Sequence, residues 1–412
     1  MSLPNDEFED IFSNKNKMPE YTTEGITSED IRSKVNFADK SIKDDINDYV
    51  FLKPTKKKKR SSKKTKSKKS SDLPKKKKSL KKILLIILIV LLCIILAITG
   101  TAIFLVNKGS KELLENENVI SAPENVTVQN KGEFVVYNGV TYEYNKNMTS
   151  ILCLGIDRDE FADSETEVIG QGGQSDMVIL AAVDTSTGKT TLINISRDTM
   201  TDIAVYSDSG IYVETITAQL CLAYAYGDGR ETSCENTKTA VQRLFYNIPI
   251  NSYYALDLDG ISTLNDCVGG IDVVSPETVW EFEEGESYHL VGDQAEQFVR
   301  KRVMDTPEAN NRRMKRQQIY LDAFIDKVIE QTKEDIMTPV NLFNEATPYS
   351  CTNLNVSRVC YLAETIFANS GVTMEMVTVP GESKKGEVHA EYYIDEEKFY
   401  EMFLDIYYTP VK

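Results

Sequence analysis

Residues 83–106 form a continuous run of 24 positions without a charged side chain, ILLIILIVLLCIILAITGTAIFLV. At about 1.5 Å per helical residue, such a run can cross a hydrocarbon core of roughly 30 Å. A signal peptide has a shorter apolar core close to the N-terminus, whereas this run starts far into the chain. The sequence therefore predicts a single transmembrane helix that acts as a signal-anchor and divides the chain into two parts.

The charges on either side of this run predict its orientation. Residues 53–82 hold 17 of the 47 basic residues, whereas Lys108 and Lys111 alone follow the run closely. Because basic residues accumulate on the cytoplasmic side, we expect a cytoplasmic N-terminus and an extracellular C-terminal part on the cell membrane. The Lys-rich juxtamembrane segment 53–82 favours contact with anionic lipids over nucleic acid. Residues 1–52 predict a disordered acidic cytoplasmic tail.

The part after the run begins with a predicted stalk and hairpin, residues 107–147. The hairpin, EFVVYNGVTYEYN, turns at Asn138-Gly139, which is a strong two-residue turn signal. Three near-continuous apolar runs follow at 151–156, 177–184 and 190–196. Such runs are typical of strands that are covered on both faces.

Helical patterns alternate with these strands and complete the predicted domain. They lie at about 216–226, 234–246, 259–267, 293–302, 309–333 and 356–370, with a further strand at 252–258. This mixture fits an α/β or an α+β domain, and we favour an α/β fold in which helices flank a central mixed sheet. We assign the core of this domain to residues 148–334 and a C-terminal α/β extension to residues 335–412.

Histidine and cysteine usage limits the chemistry. The chain has two histidines, His289 and His389, and no CxxC pair, so zinc sites and histidine-dependent catalysis are poorly supported. Two cysteine pairs each flank a short segment and are candidate disulfides: Cys221 with Cys234, and Cys351 with Cys360. Spacing alone leaves their connectivity open.

The basic stretch, residues 298–318, contrasts with the charge around it. After Val106 the chain has 24 basic and 50 acidic residues, yet seven of the basic ones lie in this stretch. They are Arg300, Lys301, Arg302, Arg312, Arg313, Lys315 and Arg316. The simplest interpretation is a solvated helix face, and the alternative is a site that binds a specific anion.

Polar residues at strand ends favour the second interpretation. Asp157, Arg158 and Asp159 follow the first apolar run, Asp176 precedes the second, and Arg197 with Asp198 follows the third. Ligands in helix-flanked sheets bind beyond strand ends, so these groups are expected to share one cleft. Carboxylates suit Mg²⁺ or Mn²⁺, and arginines suit phosphate. Together they predict a site for a phosphate or a diphosphate.

An ordered set of motifs then resembles a known family. The segments are GIDRDE, GGQSDMVILAAVD, INISRDTM, AYAYGDG, NDCVGGIDVV, and FVRKR followed by RRMKRQQ. Over residues 148–334 they are similar to the LytR-CpsA-Psr family of Gram-positive cell-envelope enzymes. The resemblance implies an α/β/α sandwich with a hydrophobic pocket for a polyprenyl chain.

The resemblance also implies an activity and its partners. Members transfer a glycopolymer, such as teichoic acid or capsular polysaccharide, from an undecaprenyl-diphosphate carrier to peptidoglycan, where a phosphodiester link forms. A pyrophosphatase side activity at the same centre is also consistent with the resemblance. The expected partners are the lipid-linked glycopolymer and peptidoglycan, with no nucleic acid.

The same resemblance assigns roles to individual residues. Asp157 and Asp176 would hold Mg²⁺ or Mn²⁺. The catalytic set is Arg197, Arg300, Arg302 and Arg313, and the phosphate-binding set is Arg158 and Gln317. Val178, Leu180 and Ile319 are candidates for the lipid pocket, with ordinary core packing as the default. Lys301, Arg312, Lys315 and Arg316 are expected to be solvated.

The chain departs from the family pattern at several positions. Gln174 replaces an arginine, Ser196 a proline, and Asn310 an aspartate. An insertion, DSETEVIGQG, separates the first two motifs, so either Asp157 or Asp159 could face the metal. If the aspartate of relatives acts as a base, Asn310 cannot take that role, and Asp305 is then the nearby candidate.

Two other classes of function fit parts of the sequence. One is a non-catalytic protein that binds polyprenyl phosphates or wall polymer. The other is a membrane-tethered regulator with a basic DNA-binding arm, although nothing in that arm resembles a folded reader of bases. An Mg²⁺-dependent phosphotransferase accounts for more of the residues than either alternative.

Overall fold

The computed structural model describes residues 80–114, 118–157, 172–207, 209–301, 309–367, 374–386 and 389–411, and for 80–95 and 309–311 it describes the backbone alone. These residues belong to one unit, Lys78–Lys412. The predicted tail at 1–52 and nearly all of the Lys-rich segment at 53–82 lie outside the described residues.

The helices of the described part are bounded as follows. They are α1 (Leu80–Leu114), α2 (Leu222–Ala225), α3 (Glu231–Leu244), α4 (Leu258–Cys267), α5 (Asp293–Arg300), α6 (Ala309–Glu334), α7 (Thr338–Ala346), α8 (Val356–Phe367) and α9 (Glu396–Tyr407). Short 3-10 helices lie at Asn130–Gly132 and Thr347–Tyr349.

The strands alternate with these helices along the chain. They are β1 (Thr127–Gln129), β2 (Phe134–Tyr137), β3 (Val140–Tyr144), β4 (Met148–Ile156), β5 (Ser175–Asp184), β6 (Thr190–Ile195), β7 (Met200–Tyr206), β8 (Tyr212–Gln219), β9 (Ser252–Leu256), β10 (Ile271–Val274), β11 (Ser287–Leu290), β12 (Ser350–Thr352), β13 (Met374–Thr378), β14 (Gly381–Lys385), β15 (Ala390–Ile394) and β16 (Tyr408–Pro410).

Six of these strands form the central sheet, in the order β12-β9-β4-β5-β6-β13. The pairs β4–β5, β5–β6 and β12–β9 are antiparallel, whereas β9 runs parallel to β4 and β13 runs parallel to β6. The three predicted apolar strands therefore form the centre of the sheet. The prediction of a mixed sheet is confirmed.

Both faces of the sheet are buried, as the near-continuous apolar strands predict. On one face, Leu152 and Leu180 join a core that includes residues of α3 and α9. On the other face, Ile151 and Ile179 pack with residues of α6 and α8. Alternate side chains of a strand point to opposite faces, so a strand between two helical layers must be apolar throughout.

One predicted helix is partly replaced by a strand. Residues 216–219, expected to start a helix, belong to β8, which pairs with β7 from Met200↔Gln219 to Tyr206↔Tyr212. The apolar side chains of Ile216 and Ala218 pack against the main core at a spacing of two residues, which a strand provides. The helical pattern survives only as the short α2.

The described residues at the start of the predicted stalk and hairpin, including the end of α1, pack against the rest of the domain. Helix α1 continues to Leu114 and packs along α8, and Leu113 is fully buried. A Cβ atom at Gly109 would collide with the Ser357 carbonyl, so glycine permits this close approach. The Glu112 carboxylate accepts hydrogen bonds from Asn355 Nδ2 at 2.9 Å and from Arg358 Nε at 3.1 Å.

The predicted membrane anchor at 83–106 falls within α1. Across the described residues, no helix combines the length and the apolar character that crossing a membrane requires.

Glu112→Gln is expected to weaken the contact between α1 and α8. The hydrogen bond from Asn355, with Arg358 also contributing, lowers the pKa of Glu112 below its ordinary value of 4.5. A carboxylate with a depressed pKa stabilises the fold above that value, and the contribution disappears as the pH falls through the lowered pKa. Thermal unfolding of the variant at pH 7 should show a loss of about 1 kcal/mol.

The control for this prediction is Glu124→Gln, which changes an exposed glutamate. The two variants should melt differently at pH 7 and alike at strongly acidic pH. A Glu112→Gln variant as stable as the wild type at pH 7 would contradict the prediction.

Candidate active site

The site lies where β4 ends and β5 begins. These strands are antiparallel and Ile156 pairs with Ser175, so Asp157, directly after β4, and Asp176, the second residue of β5, lie at the same edge of the sheet. The Asp157 N–H donates to the Gln174 carbonyl at 3.1 Å, which holds the two segments together beyond the last strand pair. The predicted convergence of Asp157 and Asp176 follows directly from this pairing.

Asp176 joins two arginines from distant parts of the chain. Arg313 Nη1 lies 2.7 Å from Asp176 Oδ2, and Arg197 Nη1 pairs with Asp176 Oδ1. Arg197 follows β6, which is antiparallel to β5, so its strand also ends at this edge. Arg197 further contacts Gln174 Oε1 and approaches Asp198 Oδ1 at 3.5 Å.

Arg300 completes the polar part from the end of α5. Its Nη2 lies 3.2 Å from Asp157 Oδ1, and its Nη1 lies 3.0 Å from Glu296 Oε1. The Arg300 side chain is 40% exposed, whereas Arg313 is 3% exposed. Arg313 therefore lies deep in the site, and Arg300 lies at its solvent side.

Helix α6 presents two different faces. Arg313 and Gln317 are one turn apart and line the site, and Gln317 Nε2 donates to the Val299 carbonyl at 3.2 Å. Arg312 and Arg316, also one turn apart, face Glu277 instead, at 2.9 and 3.0 Å. Residues four apart share a helix face, so the basic stretch divides between two partners.

An apolar pocket of about 140 Å³ extends from the polar groups into the domain. Its apolar lining comes from Ile156, Met177, Leu256, Leu258, Ile261, Leu264, Val299, Tyr320, Leu321 and Phe324. Asp157, Asp176, Arg300, Arg313 and Gln317 line the same pocket. A ligand that fills it would have an apolar tail and an anionic head.

The residues suggested for the lipid pocket belong to the core instead. Val178 and Leu180 are fully buried on the α3 side of the sheet, and Ile319 packs into a second cluster around Phe298. Met177 lines the pocket because neighbouring strand residues point to opposite faces. The default assignment of core packing was the right one.

Three of the four basic residues that were expected to be solvated have specific partners. Arg316 is fully buried, Arg312 pairs with Glu277, and Lys301 Nζ lies 4.6 Å from the centre of the Trp280 ring. Lys315 is exposed, as expected. The sequence shows that these residues are basic, but it does not show which of them will be buried against an acidic partner such as Glu277.

Burial shifts the pKa values of the buried basic groups. It lowers the pKa of Arg313 to about 10, with the neighbouring charge of Arg197 acting in the same direction. Burial also lowers the pKa of Arg316. With a pKa of about 10, the Arg313 guanidinium remains charged at neutral pH and can pair with a phosphate.

The donor set fits a hard divalent cation bound together with its ligand. Among the described residues, no group of three or more His, Cys, Asp or Glu side chains could hold a metal ion. Two carboxylates, Asp157 and Asp176, do line one pocket. Mg²⁺ commonly uses one or two carboxylates and takes its other oxygens from substrate phosphates and water.

Several predicted residues lie outside the described part of the chain. They are Arg158, Asp159, Arg302 and Asp305, and the side chain of Asn310. Sequence reasoning missed the role of Gln174 as a partner of Arg197, and it missed Tyr320 and Leu321 in the pocket. A helical spacing relates Arg313, Gln317, Tyr320 and Phe324. This pattern could have identified the face of α6 that lines the pocket.

The cysteines do not form either of the suggested disulfides. The six described cysteines outside α1 are free thiols. Cys234 makes a sulfur hydrogen bond with Cys351, which raises the pKa of Cys234. Cys221 Sγ lies 3.1 Å from Arg197 Nη2, and burial raises the pKa of that thiol.

Comparison with known proteins agrees with this fold and these motifs. The chain is 30% identical over 205 residues to the polyisoprenyl-teichoic acid–peptidoglycan teichoic acid transferase TagU of Enterococcus faecalis, a match over 48% of this chain and 60% of that protein. It is 28% identical over 271 residues to TagV of Bacillus subtilis, with the same transferase description, over 60% of this chain and 64% of TagV. Both matches span less than two thirds of the relative's length.

The crystal structure of protein gbs0355 from Streptococcus agalactiae has a similar fold. Its TM-score is 0.51 at 21% identity, and the match covers 63% of this chain and 86% of that one. The sequence model of the LytR-CpsA-Psr family matches residues 105–406, which include the whole site described above. The chain therefore belongs to the LytR-CpsA-Psr family.

Proposed function

We propose that this protein transfers a glycopolymer from an undecaprenyl-diphosphate carrier to peptidoglycan and forms a phosphodiester link. The observation that carries the proposal is the apolar pocket with Asp157, Asp176, Arg300 and Arg313 beside it. A polyprenyl diphosphate has the apolar tail and the anionic head that such a pocket requires. The transferase names of TagU and TagV support the same reaction class.

The reaction is a displacement at phosphorus. The acceptor hydroxyl oxygen bonds to the phosphorus nearer the sugar, and the bond from that phosphorus to the bridging oxygen breaks. Polyprenyl phosphate leaves with the electron pair, and the hydroxyl proton passes to a base. Arg197, Arg300 and Arg313 stabilise the negative charge that builds up on the phosphate oxygens and the leaving group.

Asp157 and Asp176 would hold Mg²⁺ or Mn²⁺. When bound, the ion would neutralise part of the diphosphate charge. Arg158 and Arg302 remain proposed phosphate ligands, and Asp305 remains the proposed base. The same centre could use water as the acceptor, which would give a pyrophosphatase side reaction.

We also propose a location. The run at 83–106 would anchor the chain in the cell membrane, with the N-terminus in the cytoplasm and the domain outside. The Lys-rich segment 53–82 would contact anionic lipids on the cytoplasmic side. This arrangement keeps the pocket on the side where peptidoglycan is assembled and close to the membrane that holds the carrier.

The test uses the full-length protein in detergent with an undecaprenyl-diphosphate-linked glycan and peptidoglycan fragments. Mass spectrometry should detect released polyprenyl phosphate and a phosphodiester-linked product when Mg²⁺ is present. Removal of the metal with EDTA should lower the rate at least about 100-fold, and added Mg²⁺ should restore it.

Two outcomes would count against the proposal. Full activity of the Arg197→Ala, Arg313→Ala double variant would exclude the proposed site. Bound polyprenyl phosphate without turnover on any acceptor would indicate a non-catalytic binding protein.

A further inference from the structure

Arg316 lies on α6 where this helix packs against the end of α5, and it does not line the pocket. Its side chain is fully buried. The Nε group lies 3.0 Å from Glu277 Oε1, and Nη2 donates to the Lys301 carbonyl oxygen. A single buried cation therefore links three segments of the chain.

The Lys301 carbonyl belongs to the end of α5. Carbonyl groups in the last turn of a helix lack partners within that helix, so another group must satisfy them. Helix α6 supplies two such donors, Arg316 to Lys301 and Gln317 to Val299. The end of α5 is thereby fixed to α6 on both sides of Arg300.

Glu277 compensates the buried charge of Arg316. Its carboxylate is 17% exposed and also accepts from Arg312 Nε at 2.9 Å. The Ser275 hydroxyl donates to the Glu277 carbonyl at 2.7 Å and so fixes the loop that holds the carboxylate. A buried arginine without such a partner would carry a large desolvation cost.

We propose that Arg316, held by Glu277, is a positioning residue that fixes the distance between Arg300 and Arg313. Arg300 ends α5, and Arg313 lies one turn before Arg316 on α6. The importance of this distance for phosphate transfer rests on the proposed function. The contacts of Arg316 with Glu277 and with the Lys301 carbonyl, here called the clamp, can be tested without turnover.

Kinetics of the full-length protein test the effect on the reaction. Arg316→Gln should lower kcat for the undecaprenyl-diphosphate donor about 100-fold, because misplacement of a reacting group by about 1 Å costs this much. KM should change less than about threefold, since Arg313 and the pocket still bind the donor. Arg316→Lys keeps the buried charge and one donor nitrogen, so its kcat should be about tenfold higher than that of Arg316→Gln.

Arg312→Gln is the matched control. Arg312 shares Glu277 with Arg316, whereas the hydrogen bond to the Lys301 carbonyl comes from Arg316. Its kcat and KM should stay within about threefold of the wild type. Similar melting temperatures of the Gln and Lys variants would show that the kinetic differences do not arise from unfolding.

Amide hydrogen exchange provides a measurement that is independent of turnover. Amides at the end of α5 should exchange at least about tenfold faster in Arg316→Gln and at the wild-type rate in Arg312→Gln. Unchanged exchange together with wild-type kcat in Arg316→Gln would overturn the inference. A wild-type protein without turnover would overturn the proposed function, while the exchange result would still decide the clamp.

Discussion

Arg313→Ala is expected to lower kcat/KM for glycopolymer transfer by about 10²- to 10³-fold, the usual cost of removing one preorganised charge-stabilising donor. Of the two described arginines that line the pocket, Arg313 is the more buried, and its Nη1 lies 2.7 Å from Asp176 Oδ2. The change removes the proposed phosphate donor and leaves Asp176 with Arg197 as its described arginine partner. The measurement is the rate of polyprenyl phosphate release by the full-length protein.

The control for this prediction is Lys315→Ala on the same helix. Lys315 is exposed, so its loss should change kcat/KM less than about twofold. Circular dichroism should show that both variants are folded. A folded Arg313→Ala variant with the wild-type rate would show that the phosphates bind elsewhere.

Leu321→Glu is expected to abolish binding of long polyprenyl diphosphates. Leu321 lines the apolar pocket, two turns beyond Arg313 on α6. A carboxylate there would keep water in the pocket, since burial of an unpaired charge costs several kcal/mol. KM for the undecaprenyl-diphosphate donor should rise at least about 100-fold, as steady-state kinetics will show.

A second measurement distinguishes binding of the polyprenyl tail in the apolar pocket from binding of the diphosphate by the arginines. Affinity for inorganic pyrophosphate with Mg²⁺, measured by calorimetry, should stay within about threefold of the wild type, because the arginines are unchanged. Asp326→Ala, an exposed change on the same helix, is the control. An equal loss of pyrophosphate binding would indicate a general collapse of the site.

The sequence predicts the sheet centre and the strand-end residues because both depend on local pattern. Near-continuous apolar runs indicate strands covered on both faces, and β4, β5 and β6 are consecutive along the chain and pair as antiparallel neighbours. Antiparallel neighbours then bring Asp157, Asp176 and Arg197 to one edge. The positions of β12 and β13 at the two sheet edges could not be predicted, because they depend on packing between distant segments.

The sequence also could not predict which arginines of the basic stretch face the pocket and which face Glu277. Arg312 and Arg313 are adjacent and chemically identical, yet one faces Glu277 and the other faces Asp176. Only the rotation of α6 about its axis distinguishes them, and tertiary contacts set that rotation. The burial of Arg316 depends in the same way on a glutamate in a distant loop.

The close packing of α1 on α8 also affects how the domain is held. The last turns of α1 are fixed to the domain by the contacts of Gly109, Glu112 and Leu113. The end of α1 therefore does not rotate independently of the domain. An α-helix advances about 100° per residue. One residue inserted ahead of Gly109 would therefore rotate the domain by about this angle relative to the preceding part of α1. The number of residues in α1 thus sets the direction in which the pocket opens.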